Sequence, residues 1–162
     1  MSTVLSNGFL PLIPILIWNL LLTKKLPPSH DPEIFDKDIP KIILHFENGF
    51  RFLVFLIPLF IKLNIRSDQG QMGLIIFSIG TLIYFASWLL LIHFPESKWS
   101  TGLPGFAAPA WTPLIWLTGL SLLGKSFYFN WEYTPCYLLI PSILFLILHS
   151  LHAGLTWRRE FS

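Results

Sequence analysis

The sequence predicts an all-α polytopic membrane protein, a bundle of about five transmembrane helices. Three observations carry this. Charged residues make up only 12% of the chain while 53% is hydrophobic, against about a quarter charged in soluble domains. Mean hydropathy is +0.61. Several apolar stretches also approach the roughly 20 residues that a helix needs to cross a hydrocarbon core. The same numbers exclude other classes. The aromatic share of 16% is too high for a disordered chain. Cys136 is the only cysteine, so no disulfide framework exists. Lys plus Arg exceed Asp plus Glu by 11 to 9 without a basic stripe, which argues against nucleic acid as a partner.

The first expected span is Val4 to Thr23, around LPLIPILIWNLLLT. It has no positive region before the apolar run and no A-x-A-like site after it, so it reads as a retained helix, not a cleaved signal. Pro11 and Pro14 sit near its start, where proline is tolerated. Asn19 lies inside the apolar run, and a buried amide needs a partner, so it is expected to face another helix. The connector 24–39 follows, with LPPSHDPEIFDKDIP rich in proline and acid. Its Ile34 and Phe35 are placed to dip toward the interface. Asp38 followed by Pro40 resembles a capping acid with proline in the first turn.

The second span is Pro40 to Ile65. Lys41, His45 and Asn48 share a face at 100° per residue. Glu47 and Arg51 form an i, i+4 pair in the favourable order. Pro58 is expected to bend the outer half. The third span, Met72 to Phe94, is the cleanest. Gly73, Gly80 and Ser87 recur every seven residues, a seam that admits a second backbone. Tyr84 and Trp88 lie one turn apart beside it, and His93 ends the helix. The fourth, Pro104 to Gly124, contains Pro104, Pro109 and Pro113, which keep a re-entrant path open as an alternative. The fifth, Thr134 to Trp157, carries Ser142, Phe145, His149, His152 and Thr156 as one stripe. Trp99, Trp111, Trp131 and Trp157 fall near expected helix ends, as interfacial aromatics do, whereas Trp116 falls inside a span. Five spans of about 21 residues use about 105 of the 162, so the chain reads as a single membrane domain.

Positive residues set the orientation. The first and third connectors and the C-terminus hold Lys24, Lys25, Lys37, Lys41, Arg51, Lys98, Arg158 and Arg159. The other side holds Lys62, Arg66 and Lys125. The expectation is a plasma (inner) membrane protein with its N-terminus outside and its C-terminus in the cytoplasm. Asn19, His45, Glu47, Asn48, Arg51, His93, His149 and His152 then fall in one layer near the cytoplasmic side. Polar groups at membrane depth are costly and tend to line cavities or pathways.

Bland accounts of this layer are a shallow position among head groups, mutual neutralisation of Glu47 and Arg51, and histidines that hydrogen-bond neighbouring helices. Sharper ones begin with a cytoplasmic-side pocket that binds or moves a small hydrophobic or amphipathic ligand. Asn19, His45, Glu47, Asn48, Arg51, Tyr84, Trp88, His149 and His152 would line it, with Arg51 on an anionic head group. The alternative is a metal- or haem-dependent membrane enzyme. A metal would use His45, Glu47, His149 and His152; a haem would take one histidine from the second helix and one from the fifth. A proton-coupled transporter with a His/Glu relay is a third reading, although no internal repeat is visible. An accessory subunit or homo-oligomer packed along the third helix is a fourth. Nucleophilic catalysis lacks a G-x-S-x-G or S-x-x-K motif, and no glycine-rich phosphate loop occurs.

Overall fold

A computed structural model describes residues 6–161. The chain is mostly helical, about 75%, with three helices apolar and long enough to cross a membrane. These are α3 (Lys41–Leu56), extended by a 3-10 turn to Phe60, α4 (Asp68–His93) and α9 (Cys136–Phe161). The five expected spans thus divide into three long helices and two shorter apolar segments.

Local chemistry explains the short ones. In the first segment, Val4 and Leu5 lie outside the described residues, and the helix α1 begins only at Leu12 and ends at Leu22. Asn7 turns the chain by accepting the Phe9 N–H on Oδ1 (2.8 Å), and Pro11 then precedes the first helical residue. Eleven residues rise about 16 Å, half of a typical hydrocarbon core. The fourth segment is not one helix. After the one-turn α5 (Lys98–Thr101), prolines five and four residues apart start three separate pieces, α6 (Leu103–Phe106), α7 (Ala108–Trp111) and α8 (Pro113–Leu123). Each proline occupies a first-turn position, where its missing N–H costs nothing, and ends the preceding piece by the same property.

Two further expectations are corrected. Pro58 does not bend a continuous helix to Ile65. The α-helix stops at Leu56, and residues 61–63 run as a strand, β1 (Ile61–Leu63). This strand pairs antiparallel with β2 (Gly124–Phe127), and Asn7 bridges to Lys62, so the architecture is not purely α. Asp38 does not cap a helix. It sits at φ 59°, in the left-handed region that Asp tolerates, and the helix after Pro40 has no side-chain cap. The Asp-Pro signature operates seven residues earlier. Asp31 accepts the Glu33 N–H (3.0 Å) and Pro32 opens a one-turn helix, α2 (Pro32–Phe35).

The third segment forms as expected and starts a turn sooner. Ser67 caps α4 by accepting the Gly70 N–H (3.1 Å), with Asp68 in the first turn and His93 in the last. Its small-residue seam is filled from within. A Cβ on Gly80 would stand 2.5 Å from the Trp116 backbone nitrogen, and one on Gly119 2.2 Å from that of Phe77. The seam therefore serves α4 against α8 and gives no support to a subunit or dimer contact there. Helix α3 packs on α9, and α9 also meets α8.

The outward faces of the long helices stay apolar. Ile42, Ile75, Leu82, Ile140 and Ile147 are all more than half exposed. Inside lie Leu12, Ile15, Val54, Trp116, Leu117, Leu120, Leu138 and Phe145. The two ends of the bundle are distinct. Asn7, β1 and β2 meet at one end. At the other, Trp157 donates to the Thr101 carbonyl (2.7 Å) and Arg159 donates to the Ile34 carbonyl (2.5 Å).

Gly80→Val should disrupt the α4–α8 contact and cost about 1–3 kcal/mol through overpacking. Gly49→Ala, with nothing within 4 Å of its added carbon, should be neutral. Thermal unfolding of the detergent-solubilised protein measures both, and equal melting temperatures would refute the seam.

Candidate functional site

The site is built on the facing stripes of α3 and α9. On α3, Glu47, Arg51 and Val54 follow at four and three residues, so they share the inward face. On α9, Phe145, His149, His152 and Thr156 keep the same spacing, and the stripe runs unbroken. Where the two meet, Glu47 is buried, with only 3% of its side chain exposed. His149 Nδ1 lies 3.0 Å from its Oε1 and His152 Nδ1 lies 2.8 Å from its Oε2. Arg51 donates to Oε1 as well, and its guanidinium stands 5.4 Å over the Phe145 ring. A carboxylate at such depth survives only with this kind of compensation.

The connector 24–39 closes one end of the stripes. The Phe35 carbonyl accepts from Thr156 Oγ1 (2.9 Å) and lies 3.1 Å from His152 Nε2. Asp36 Oδ1 is 3.5 Å from the same nitrogen. The Phe35 ring packs 4.3 Å from that of His152. Arg159 donates to the carbonyls of Ile34 and Lys37. Three side chains of α9 thus hold α2 down over the site.

A cavity of about 380 Å³ opens beside the cluster. Ile15 and Asn19 from α1, Tyr84 and Trp88 from α4, Trp116 from α8 and Phe145 from α9 line it. Asn19 does face another helix: its Oδ1 accepts from the Tyr84 hydroxyl (2.7 Å). The buried indole N–H of Trp116 has no hydrogen-bond partner. That of Trp88 lies near the Tyr84 hydroxyl, outside hydrogen-bond geometry.

The structure brings together Asn19, Glu47, Arg51, Tyr84, Trp88, His149 and His152 around this cavity. It does not bring in His45 or Asn48. Both are exposed, and His45 Nδ1 is engaged with the Lys41 carbonyl of its own helix (2.7 Å). His45 stands about 200° around α3 from Glu47, so equal depth places it on the opposite face. The haem arrangement with one histidine from each helix fails for that reason, and the four-residue metal set shrinks to Glu47, His149 and His152. His93 is exposed too and pairs with the Leu89 carbonyl of its own helix (3.0 Å).

Sequence reasoning missed His30, Asp36, Phe106 and the Phe35 carbonyl as parts of the site. Only the expectation that Ile34 and Phe35 dip toward the membrane interface hinted at them. His30 Nε2 lies 3.1 Å from the Phe106 carbonyl, and its ring packs 4.3 Å from that of Phe106. Burial holds the His30 imidazole below its ordinary value of 6.5, against the opposing pull of the Phe106 carbonyl.

No family model, no curated protein and no solved structure matches the chain. The function is therefore argued from the site alone.

The His30 shift has a defined sign. Below pH 6.5 the unfolded chain takes up the proton before the folded ring does, so stability falls as the pH drops through that point. Melting temperatures followed from pH 7.5 to 5 should decline, and His30→Gln should flatten part of the decline. An identical slope in both proteins would show that His30 stays freely titratable.

Proposed function

We propose that this is an integral membrane protein that binds or moves a small amphipathic ligand. The polar end of the ligand would sit against Arg51, His149 and His152 and its apolar body among Tyr84, Trp88, Trp116 and Phe145. The carrying observation is the cavity itself, which joins aromatic walls to a single buried polar cluster. Its volume falls in the roughly 300–1,000 Å³ range of small-molecule sites, which are mostly apolar with a few convergent polar groups. The unpartnered Trp116 indole supplies a donor within the apolar part. The Arg51 guanidinium, held by Glu47 and partly exposed, offers an anionic head group a charge-assisted contact.

In this reading the chain crosses the plasma membrane five times. The first and fourth crossings run through the shorter α1 and α6–α8, screened from lipid along part of their length. The outside end carries Asn7, β1 and β2. The cytoplasmic end carries α2 and the C-terminus of α9, where the positive residues concentrate.

Two measurements test this. Decanoate should raise the melting temperature of the purified protein, and decanol should do so less. Arg51→Ala and His149→Ala should each weaken decanoate binding about tenfold, the loss expected for a charge-assisted contact of about 1.5 kcal/mol. Equal stabilisation of all three proteins would reject the pocket. Cys136, exposed and the only cysteine, reports orientation. A membrane-impermeant maleimide should label it in intact cells, and labelling only after permeabilisation would invert the topology.

A further inference from the structure

We propose that Glu47, His149 and His152 form a binding site for one divalent transition metal ion of the zinc type, with an open coordination position on the cavity. The inference deepens the pocket reading and rests on it only for the use of that open position. One donor atom from each residue lies within 4.8 Å of the others. A tetrahedral ion with bonds of about 2.0–2.2 Å gathers its donors within about 4 Å of one another, so small side-chain shifts complete the contact.

A second observation is the hydrogen-bond arithmetic at His152. Its Nε2 faces the Phe35 carbonyl at 3.1 Å. A carbonyl only accepts, so Nε2 carries the hydrogen. The Nδ1 lone pair of that tautomer then points at Glu47 Oε2, 2.8 Å away. A lone pair facing a carboxylate oxygen at this distance calls for a cation between them, either a proton, which turns His152 into an imidazolium donating from both nitrogens, or a metal ion. A metal ion satisfies both atoms, and it satisfies His149 Nδ1 and Glu47 Oε1 at the same corner.

The surroundings match those of metal sites elsewhere. A ligating histidine usually gives its second N–H to a backbone carbonyl or a carboxylate, and His152 has both at hand in Phe35 and Asp36. The ligating carboxylate is itself held, here by Arg51. Two imidazoles and one carboxylate suit zinc and its neighbours better than magnesium or calcium, which prefer oxygen. Three protein ligands leave a fourth position for water or for an anionic head group. Its place beside the aromatic chamber follows from the fact that all three residues line the cavity.

The test uses the full chain in detergent, stripped with chelator, reloaded with zinc and desalted. Elemental analysis should find about one zinc per chain, and less than about a tenth of that in His149→Asn/His152→Asn. Cys136→Ser should retain the full amount. Cobalt loaded in place of zinc should give a visible absorption band that shifts when decanoate is added; this readout needs no variant to fold. Wild-type protein that holds no zinc, or a double variant that holds as much, would overturn the site. Zinc retained without any decanoate effect keeps the metal site and removes the ligand pocket. Decanoate stabilisation in chelator, with no zinc bound on reloading, does the reverse.

Discussion

The buried Glu47 carboxylate is the constraint around which the rest is arranged. An uncompensated charge at that depth would cost several kcal/mol. Arg51 meets it from the same helix, and His149 and His152 meet it from α9. The pairing of α3 with α9 is thereby tied to one register. Sliding either helix by one residue would turn its polar stripe about 100° away from the other. His152 passes the constraint on, because its second nitrogen and the neighbouring Thr156 hold the Phe35 carbonyl. A single acid thus orders two membrane-length helices and the connector that precedes one of them.

The remaining packing serves a different end. Helices α4 and α8 approach backbone to backbone through Gly80 and Gly119, and the Gln69 side chain donates across to the Leu122 carbonyl at one end (3.2 Å). Dispersion between close surfaces stabilises that pair, as it does where lipid removes the hydrophobic difference between contact and separation. The polar half of the bundle and the small-residue half share Trp116 and Tyr84, whose rings stand 6.3 Å apart at the wall of the cavity. The cavity therefore lies at the junction between two kinds of helix packing.

What was legible in the sequence was local. The stripe from Ser142 to Thr156 and the Glu47–Arg51 pair depend only on helical phase, and both appear in the fold. Position along the helix is legible for His45 and Asn48, but it says nothing about azimuth, and they lie on the exposed face. The prolines at 104, 109 and 113 were visible, yet apolarity alone suggested one span, because a hydropathy sum does not register where helices break. The strand β1 read as helix and β2 as connector, since three or four residues carry no period of their own. The closure of α2 over the site was beyond reach. Phe35 and His152 are 117 residues apart, and no local pattern encodes such a meeting.

The pairing of β1 with β2 and Asn7 bears on how the chain assembles during synthesis. Ile61 pairs with Phe127, and Asn7 with Lys62. The first apolar segment leaves the ribosome before its docking strand exists, and that strand is made long before its own partner. Loop closure over such separations is slow relative to helix formation. The amino-terminal segment must therefore wait, its Asn7 amide unengaged, until Leu59 emerges some fifty residues later. The small sheet acts as a late fastening that completes only when more than three-quarters of the chain has been made.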